Sequence, residues 1–441
     1  MDTMSRARGH ESLPHTVQYL YDNKWLDFRG HTKVGSNTYP NIMAMLAGME
    51  ASTAYSKCRK AGMSACNKYL IWSEYKKSDY ATAYAEDYLQ LPDTFSPYKG
   101  FKSPPTDHYT RPFFLTGETT NGNVLCAKKL PSAKHILNYA HDFGSSYKTE
   151  KFFGMFWLNS YSHNLHNIPS LIDTDIVYFL ESLMDEGLLN NTFIFFLSDH
   201  GIRFGRTRQS VESYYEERLP MLFMWTPLLF RLQYPMEYYN LQLNQNRLTT
   251  PYDIYETLWD ILSKSNRSIE IVRSQACPQC TSLFEEKSPH RTCTDAMVDE
   301  KWCSCHDLTK TDKNDTAAQI SLEVGVSYIY NRSRSLETRK CYECSEFQLK
   351  KVLRSHFYAD VNNNRTYYVI AFVMSPGDVA YEVKVSTDGH DYKLINPTDT
   401  ISSYNVRGNC VKNPNNRPYC VCKQSNTCNK KKVKFKKKKI R

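Results

Sequence analysis

The chain has 441 residues, 56 Lys and Arg against 46 Asp and Glu (formal charge +10), and is 41% hydrophobic and 13% aromatic. That composition excludes a disordered chain, and the length allows a large core spread over more than one domain. The charge is unevenly placed, because Lys430 to Arg441 contains eight Lys, one Arg and no acid, which leaves the body near +1. A nucleic-acid footprint needs a basic stripe on a folded face, so no nucleic-acid partner is expected. The Lys-rich tail, 430–441, is expected to be disordered and to make at most a weak contact with an acidic surface. No segment approaches the 18 or so apolar residues of a membrane span, and MDTMSRARGHE lacks the apolar core of a signal peptide.

In chain order, GSNTYPNIMAMLAGM places Ser36, Asn37 and Thr38 ahead of Pro40 and an apolar helical stretch. Phe152 to Leu158 is a continuous apolar run that predicts a buried strand. Ile168 to Asp185 sets Ile172, Ile176, Phe179, Leu180 and Leu183 on one helical face, with Gly187 as a stop. Thr192 to Leu197 predicts a second buried strand, and a third follows at about Leu219 to Trp225. PYDIYETLWDIL predicts a helix with Pro251 in its first turn. This alternation is that of an α/β sheet. Beyond a cysteine-rich stretch, Tyr367 to Met374 and Tyr381 to Ile395 predict strands, the latter a hairpin turning at Asp388-Gly389.

Eleven of the 14 cysteines follow Ser274. Cys277/Cys280 and Cys341/Cys344 are CxxC pairs, which suit either half of a zinc site or a redox motif. They stand about 60 residues apart and outside a strand–CxxC–helix context, which favours a disulfide framework. Sequons at Asn190, Asn266, Asn314, Asn331 and Asn364 point to the same oxidising compartment.

Ligands of open α/β sheets bind beyond the carboxyl ends of strands. After the 192–197 run comes Ser198-Asp199-His200-Gly201, which can aim an oxygen and a nitrogen at a metal ion. After the 152–158 run, Asn159 and His163 stand four apart, with His166 behind them. An isolated Asp-His pair is as well read as a cap and a solvent-facing ring. Two such pairs on successive strands weigh against coincidence. Thr38 suits either an ordinary N-cap or an alkoxide nucleophile at a helix N-terminus, where backbone amides favour negative charge.

Taken together, MDTMSR, KVGSNTYPNIMAMLAGM, FFLSDHGIRFGR, YYEERLPMLFM, RTCTDAMVDEKWCSC and NCVKNPNNRPYCVC resemble the alkaline phosphatase/sulfatase superfamily. Within it, the chain most resembles an uncharacterised sulfatase-like family of secreted or membrane-anchored invertebrate proteins. The resemblance implies an alkaline phosphatase-like α/β domain, a mostly parallel sheet flanked by helices, over 1–271. It implies a smaller cysteine-rich α+β part over 272–429. Asp2, Asp199 and His200 match metal ligands, and Asn159 and His163 match the Asp-x-x-x-His of a second metal site. Thr38 matches the nucleophile, which also touches metal, and Arg203 and Arg206 are candidates for contact with a tetrahedral anion.

The implied cofactor is a divalent ion, zinc before calcium or manganese, and the implied partner is a phosphate- or sulfate-ester substrate. The implied reaction is metal-assisted displacement through a covalent phospho-threonine. Thr38 is neither the Cys nor the Ser from which formylglycine is made, so phosphate esters are favoured over sulfate esters. Asn159 stands where the pattern has an Asp, which motivates the alternative of a catalytically inactive extracellular binding protein. The chain opens at the acid that should end the first strand, so an N-terminally incomplete, secreted or membrane-anchored protein is expected.

Overall fold

A computed structural model describes residues 1–59, 62–89, 94–95, 100–121, 124–163, 168–265, 268–361, 363–402 and 407–425. The Lys-rich tail, His166, Asn266 and Cys428 lie outside the described residues. The chain forms two compact units, one of residues 1–202 and 212–305, the other of 203–211 and 306–441.

In the first unit the two apolar runs are strands, at Phe152–Trp157 and Ile194–Leu197. The first pairs in parallel with Ala81–Glu86, which also pairs in parallel with His108–Tyr109. The second pairs antiparallel with Leu222–Trp225, which pairs antiparallel with Leu26–Asp27. The carboxyl ends of the two runs are joined by the start of the chain: Met1 N donates to Leu197 O (2.7 Å) and Asp2 N to Leu158 O (2.9 Å). Both runs therefore deliver their following residues to one place.

The helix expected between them spans Asp173–Asp185 and buries Ile176, Leu180 and Leu183, with Ile172 buried just ahead of it. Gly187, at φ +71°, then takes the left-handed conformation that favours glycine. The Pro251–Ser265 helix packs on Thr38–Ala47, burying Tyr252, Ile254, Tyr255, Leu258, Trp259 and Leu262. A Cβ on Gly48 would come within 2.7 Å of the Tyr255 ring, so glycine there permits the close approach.

The cysteine-rich stretch does not divide from the first unit at residue 271; the division falls after 305. Leu283 and Phe284 enter the main core, and Cys277 and Cys280 pack with Ala44 and Tyr252. Asp253 holds Arg291 at 2.8 Å and Lys287 at 3.6 Å, tying the stretch to the 251–265 helix.

The second unit is a five-stranded antiparallel sheet in the order Thr309–Lys310, Gln348–Asp360, Arg365–Ser375, Val379–Thr387 and Tyr392–Thr400. The helix Thr316–Arg334 packs against it, and Ile370, Phe372, Met374, Tyr381, Val383 and Val385 share its apolar core. Disulfides link Cys58–Cys66, Cys277–Cys280, Cys293–Cys303, Cys344–Cys420 and Cys410–Cys422. Cys341 is bonded too, while Cys126 and Cys305 are free thiols. The framework expected of the cysteines is thus present. Among the described residues, no helix is long and apolar enough to cross a membrane.

Candidate active site

Four of the expected residues meet beyond the strand ends of the first unit. One ligand atom from each of Asp2, Asp199 and His200 lies within 4.8 Å of the others, and all three side chains are buried. His200 Nε2 stands 3.2 Å from Asp199 Oδ2 and 3.9 Å from Asp2 Oδ1. Thr38 Oγ1 donates to Asp2 Oδ1 at 3.4 Å. Thr38 is the first residue of its helix, preceded by Asn37, whose side chain makes no capping hydrogen bond. The hydroxyl is therefore turned toward the carboxylates at the positive end of a ten-residue helix.

The backbone around the cluster explains its shape. Thr3 adopts φ +57°, a left-handed conformation that costs an L-residue about 1–2 kcal/mol. In that turn Thr3 N donates to Asp199 Oδ1 (3.1 Å) and Thr3 Oγ1 to Asp2 Oδ1 (2.7 Å). Met4 N donates to Ser198 Oγ at 2.8 Å, fastening the turn to the end of the 194–197 strand. Arg8 Nη1 donates to Thr3 O (3.0 Å) and Ser162 O (2.6 Å), bridging the turn to the end of the other strand. Burial pushes the Arg8 guanidinium down to about 10, with Asp2 opposing that shift. Sequence reasoning missed Thr3, Ser198 and Arg8; only the proximity of Ser198 to the Asp-His pair hinted at any of them.

His163 and Asn159 diverge. His163 Nε2 reaches to 3.8 Å from Asp2 Oδ2, at the rim of the cluster. Asn159 Nδ2 instead donates to Glu86 Oε1 (2.9 Å) and Asp87 O (2.8 Å), and Asn159 N donates to Asp87 Oδ1 (2.6 Å). Its carbonyl accepts from Ser162 N and His163 N, so Asn159 turns the chain that carries His163 to Asp2. Burial pushes the Asp87 carboxyl up to about 6, against the hydrogen bonds from Asn159 and Ser160. Arg203 and Arg206 belong to the segment 203–211, which is part of the second unit.

The donor set fits a divalent cation. His200 Nδ1 lies 2.8 Å from Gly201 O, which fixes the ring proton on Nδ1 and leaves Nε2 with its lone pair toward the carboxylates. Asp199 Oδ2 is buried and makes no hydrogen bond. Two acceptors 3.2 Å apart in a buried place repel unless positive charge lies between them. An imidazole with two carboxylates is a zinc-type ligand set.

An α/β domain with a buried oxygen-and-nitrogen ligand cluster beside a helix-borne hydroxyl is the class these features define. The chain belongs to the family described as "Protein of unknown function (DUF229)", whose model matches residues 1–353. No curated protein matched the sequence. Among solved structures, the chain is similar to the phosphonate monoester hydrolase SpPMH from Silicibacter pomeroyi, at 10% identity and a TM-score of 0.44, covering 88% of each chain. It is similar to the lipoteichoic acid synthase LtaP from Listeria monocytogenes at 15% identity and a TM-score of 0.40, covering 70% of this chain and 74% of that one. For the PsFucS1 sulfatase from Pseudoalteromonas sp. the values are 13%, 0.38, 82% and 78%. At such identities and TM-scores the likeness says nothing of which reaction this chain performs.

Proposed function

We propose that this protein is a metal-dependent hydrolase of phosphate-type esters in which Thr38 is the nucleophile. The observation that carries the reading is the Thr38 hydroxyl, at a helix N-terminus and 3.4 Å from the Asp2 carboxylate of the buried Asp2–Asp199–His200 cluster. Asp2, Asp199 and His200 would hold the ion, zinc before calcium or manganese, with His163 at its edge. Bound there, a divalent ion supplies Lewis-acid stabilisation of anionic ester oxygens. Asp2 orients the Thr38 hydroxyl and accepts its proton as Oγ1 bonds to phosphorus and the bond to the leaving alcohol breaks. Water then cleaves the phospho-threonine and restores the hydroxyl. Arg203 and Arg206, which follow the Asp-His pair in the chain, are the cations proposed for the substrate's anionic oxygens.

A β-branched alcohol cannot be converted to formylglycine, so sulfate esters are the less favoured substrates. The disulfides, and the exposed positions of Asn190, Asn314, Asn331 and Asn364, support passage through the secretory pathway with glycans at those sites. Purified protein is expected to carry about one divalent ion and to turn over an aryl phosphomonoester or phosphodiester. Thr38→Ala should abolish turnover while the metal is retained.

A second reading is supported by Asn159, whose amide is committed to Glu86 and the Asp87 carbonyl. Without a carboxylate there, a second ion has weaker support, and the protein would be a catalytically silent extracellular binding protein. Metal-loaded protein with no turnover on a phosphate and sulfate ester panel favours that reading; turnover lost in Thr38→Ala excludes it.

A further inference from the structure

The second unit contains a cavity of about 700 Å³ whose wall carries Arg206, Lys350, Lys351, Arg407 and Arg417, with Asp378 the lone acid among the described residues that line it. Lys350 pairs with Asp378 at 2.7 Å. The other four cations make no side-chain hydrogen bond or ion pair among the described residues, and Arg417 Nε is buried without a partner. Five cations around one concavity repel one another, and a single acid offsets little of that cost.

The backbone goes out of its way to assemble them. The strand Gln348–Asp360 breaks register with Arg365–Ser375 twice, between Leu349 and Lys351 and between Val352 and Arg354. In a regular strand Lys350 and Lys351 would point to opposite faces; with the bulge at Lys350 both line the cavity. Gly408 lets the chain pass so close to Arg417 that a Cβ there would stand 2.2 Å from Arg417 O. That approach sets Arg407 beside Arg417. Gly377, at φ +98°, leaves room for the Arg407 side chain, whose Nη1 would be 3.3 Å from a Cβ at that position. Cys344–Cys420 and Cys410–Cys422 fasten the same segment.

We propose that this cavity binds an oligosaccharide-sized polyanion bearing sulfate or phosphate esters. Its volume suits a ligand of one or two sugar rings. Guanidinium groups match tetrahedral ester oxygens bidentately. Ile401, Pro414 and Pro418 give the wall apolar surface for ring C–H faces, and among the described residues no aromatic lines it, which disfavours the base stacking of a nucleic-acid groove. Binding is read without turnover, and the variants that test it, at Lys351, Arg407 and Arg417, carry none of the residues of the catalytic proposal, so neither reading falls with the other.

The test is calorimetric titration of the full chain with sucrose octasulfate and, in a second arm, myo-inositol hexakisphosphate. Wild-type protein should bind at least one of them saturably at one site, and the preferred arm identifies the ester. The double variant Arg407→Ala/Arg417→Ala should weaken that binding at least tenfold. Lys351→Glu, on an exposed position that tolerates charge, should do the same and decides the matter should the double variant misfold. Both variants keep the Lys-rich tail, so affinity that is unchanged in Lys351→Glu assigns binding to the tail and overturns the proposal. Absence of saturable binding to either probe overturns it as well.

Discussion

At the scale of single residues, the centre depends on side chains that do not themselves touch an ion. Arg8 spans two carbonyls, Thr3 O and Ser162 O, and so fixes the distance between the turn carrying Asp2 and the segment carrying His163. Arg8→Ala is expected to lower metal affinity roughly 10–100-fold with little change in global stability, as measured by metal titration alongside urea unfolding. Asp199→Asn removes the orphaned oxygen and should abolish stoichiometric metal retention.

His31 gives a pH signature of another kind. It is fully buried near Asp253, with Nδ1 3.2 Å from Thr249 Oγ1, and burial pushes its ring down to about 4 despite that carboxylate. The unfolded chain takes up this proton below about pH 6.5 and the folded one only near 4. Stability from His31 is therefore complete above pH 6.5 and lost as pH falls toward 4, by up to about 3 kcal/mol. Between those pH values His31→Gln should lose less stability than wild type by that amount; parallel curves would contradict the assignment.

At the scale of elements, the EERLP segment, one of those that carry the resemblance, is internal scaffolding. Glu217 pairs with buried Lys33 at 2.7 Å and with Arg218 at 3.2 Å. Lys33 lies over the Trp302 ring, and Arg218 donates to Lys301 O, so the pairs clamp the loop closed by Cys293–Cys303. Glu217→Gln leaves two buried cations short of a partner and should cost about 3–5 kcal/mol in urea unfolding. A loss below about 1 kcal/mol would contradict the clamp.

The elements were legible where a local pattern suffices: apolar runs for the 152–157 and 194–197 strands, helical spacing for 173–185, Asp-Gly for the last hairpin. The Asp199-His200 pair was legible because strand order alone puts it at a carboxyl end. Arg8, Thr3 and the Asn159–Glu86 bond were not, because each joins segments about 70 to 200 residues apart. The boundary near 271 was misplaced for the same reason. Leu283 and Phe284 read as loop residues, yet they are buried in the main core.

At the scale of the whole molecule, the net charge divides between a basic tail and a near-neutral body that holds a buried Asp/His cluster in one unit and a basic cavity in the other. The first is arranged for an ion and a nucleophile, the second for an anion. The proposed hydrolysis depends on the first. It is tested most directly by elemental analysis of the purified full chain together with its turnover of an aryl phosphate ester, compared across wild type, Thr38→Ala and Asp199→Asn. Wild type should carry about one divalent ion and turn over the ester, Thr38→Ala should keep the metal without turnover, and Asp199→Asn should show neither. Wild-type protein that binds no divalent ion, or turnover that survives both substitutions, would contradict it.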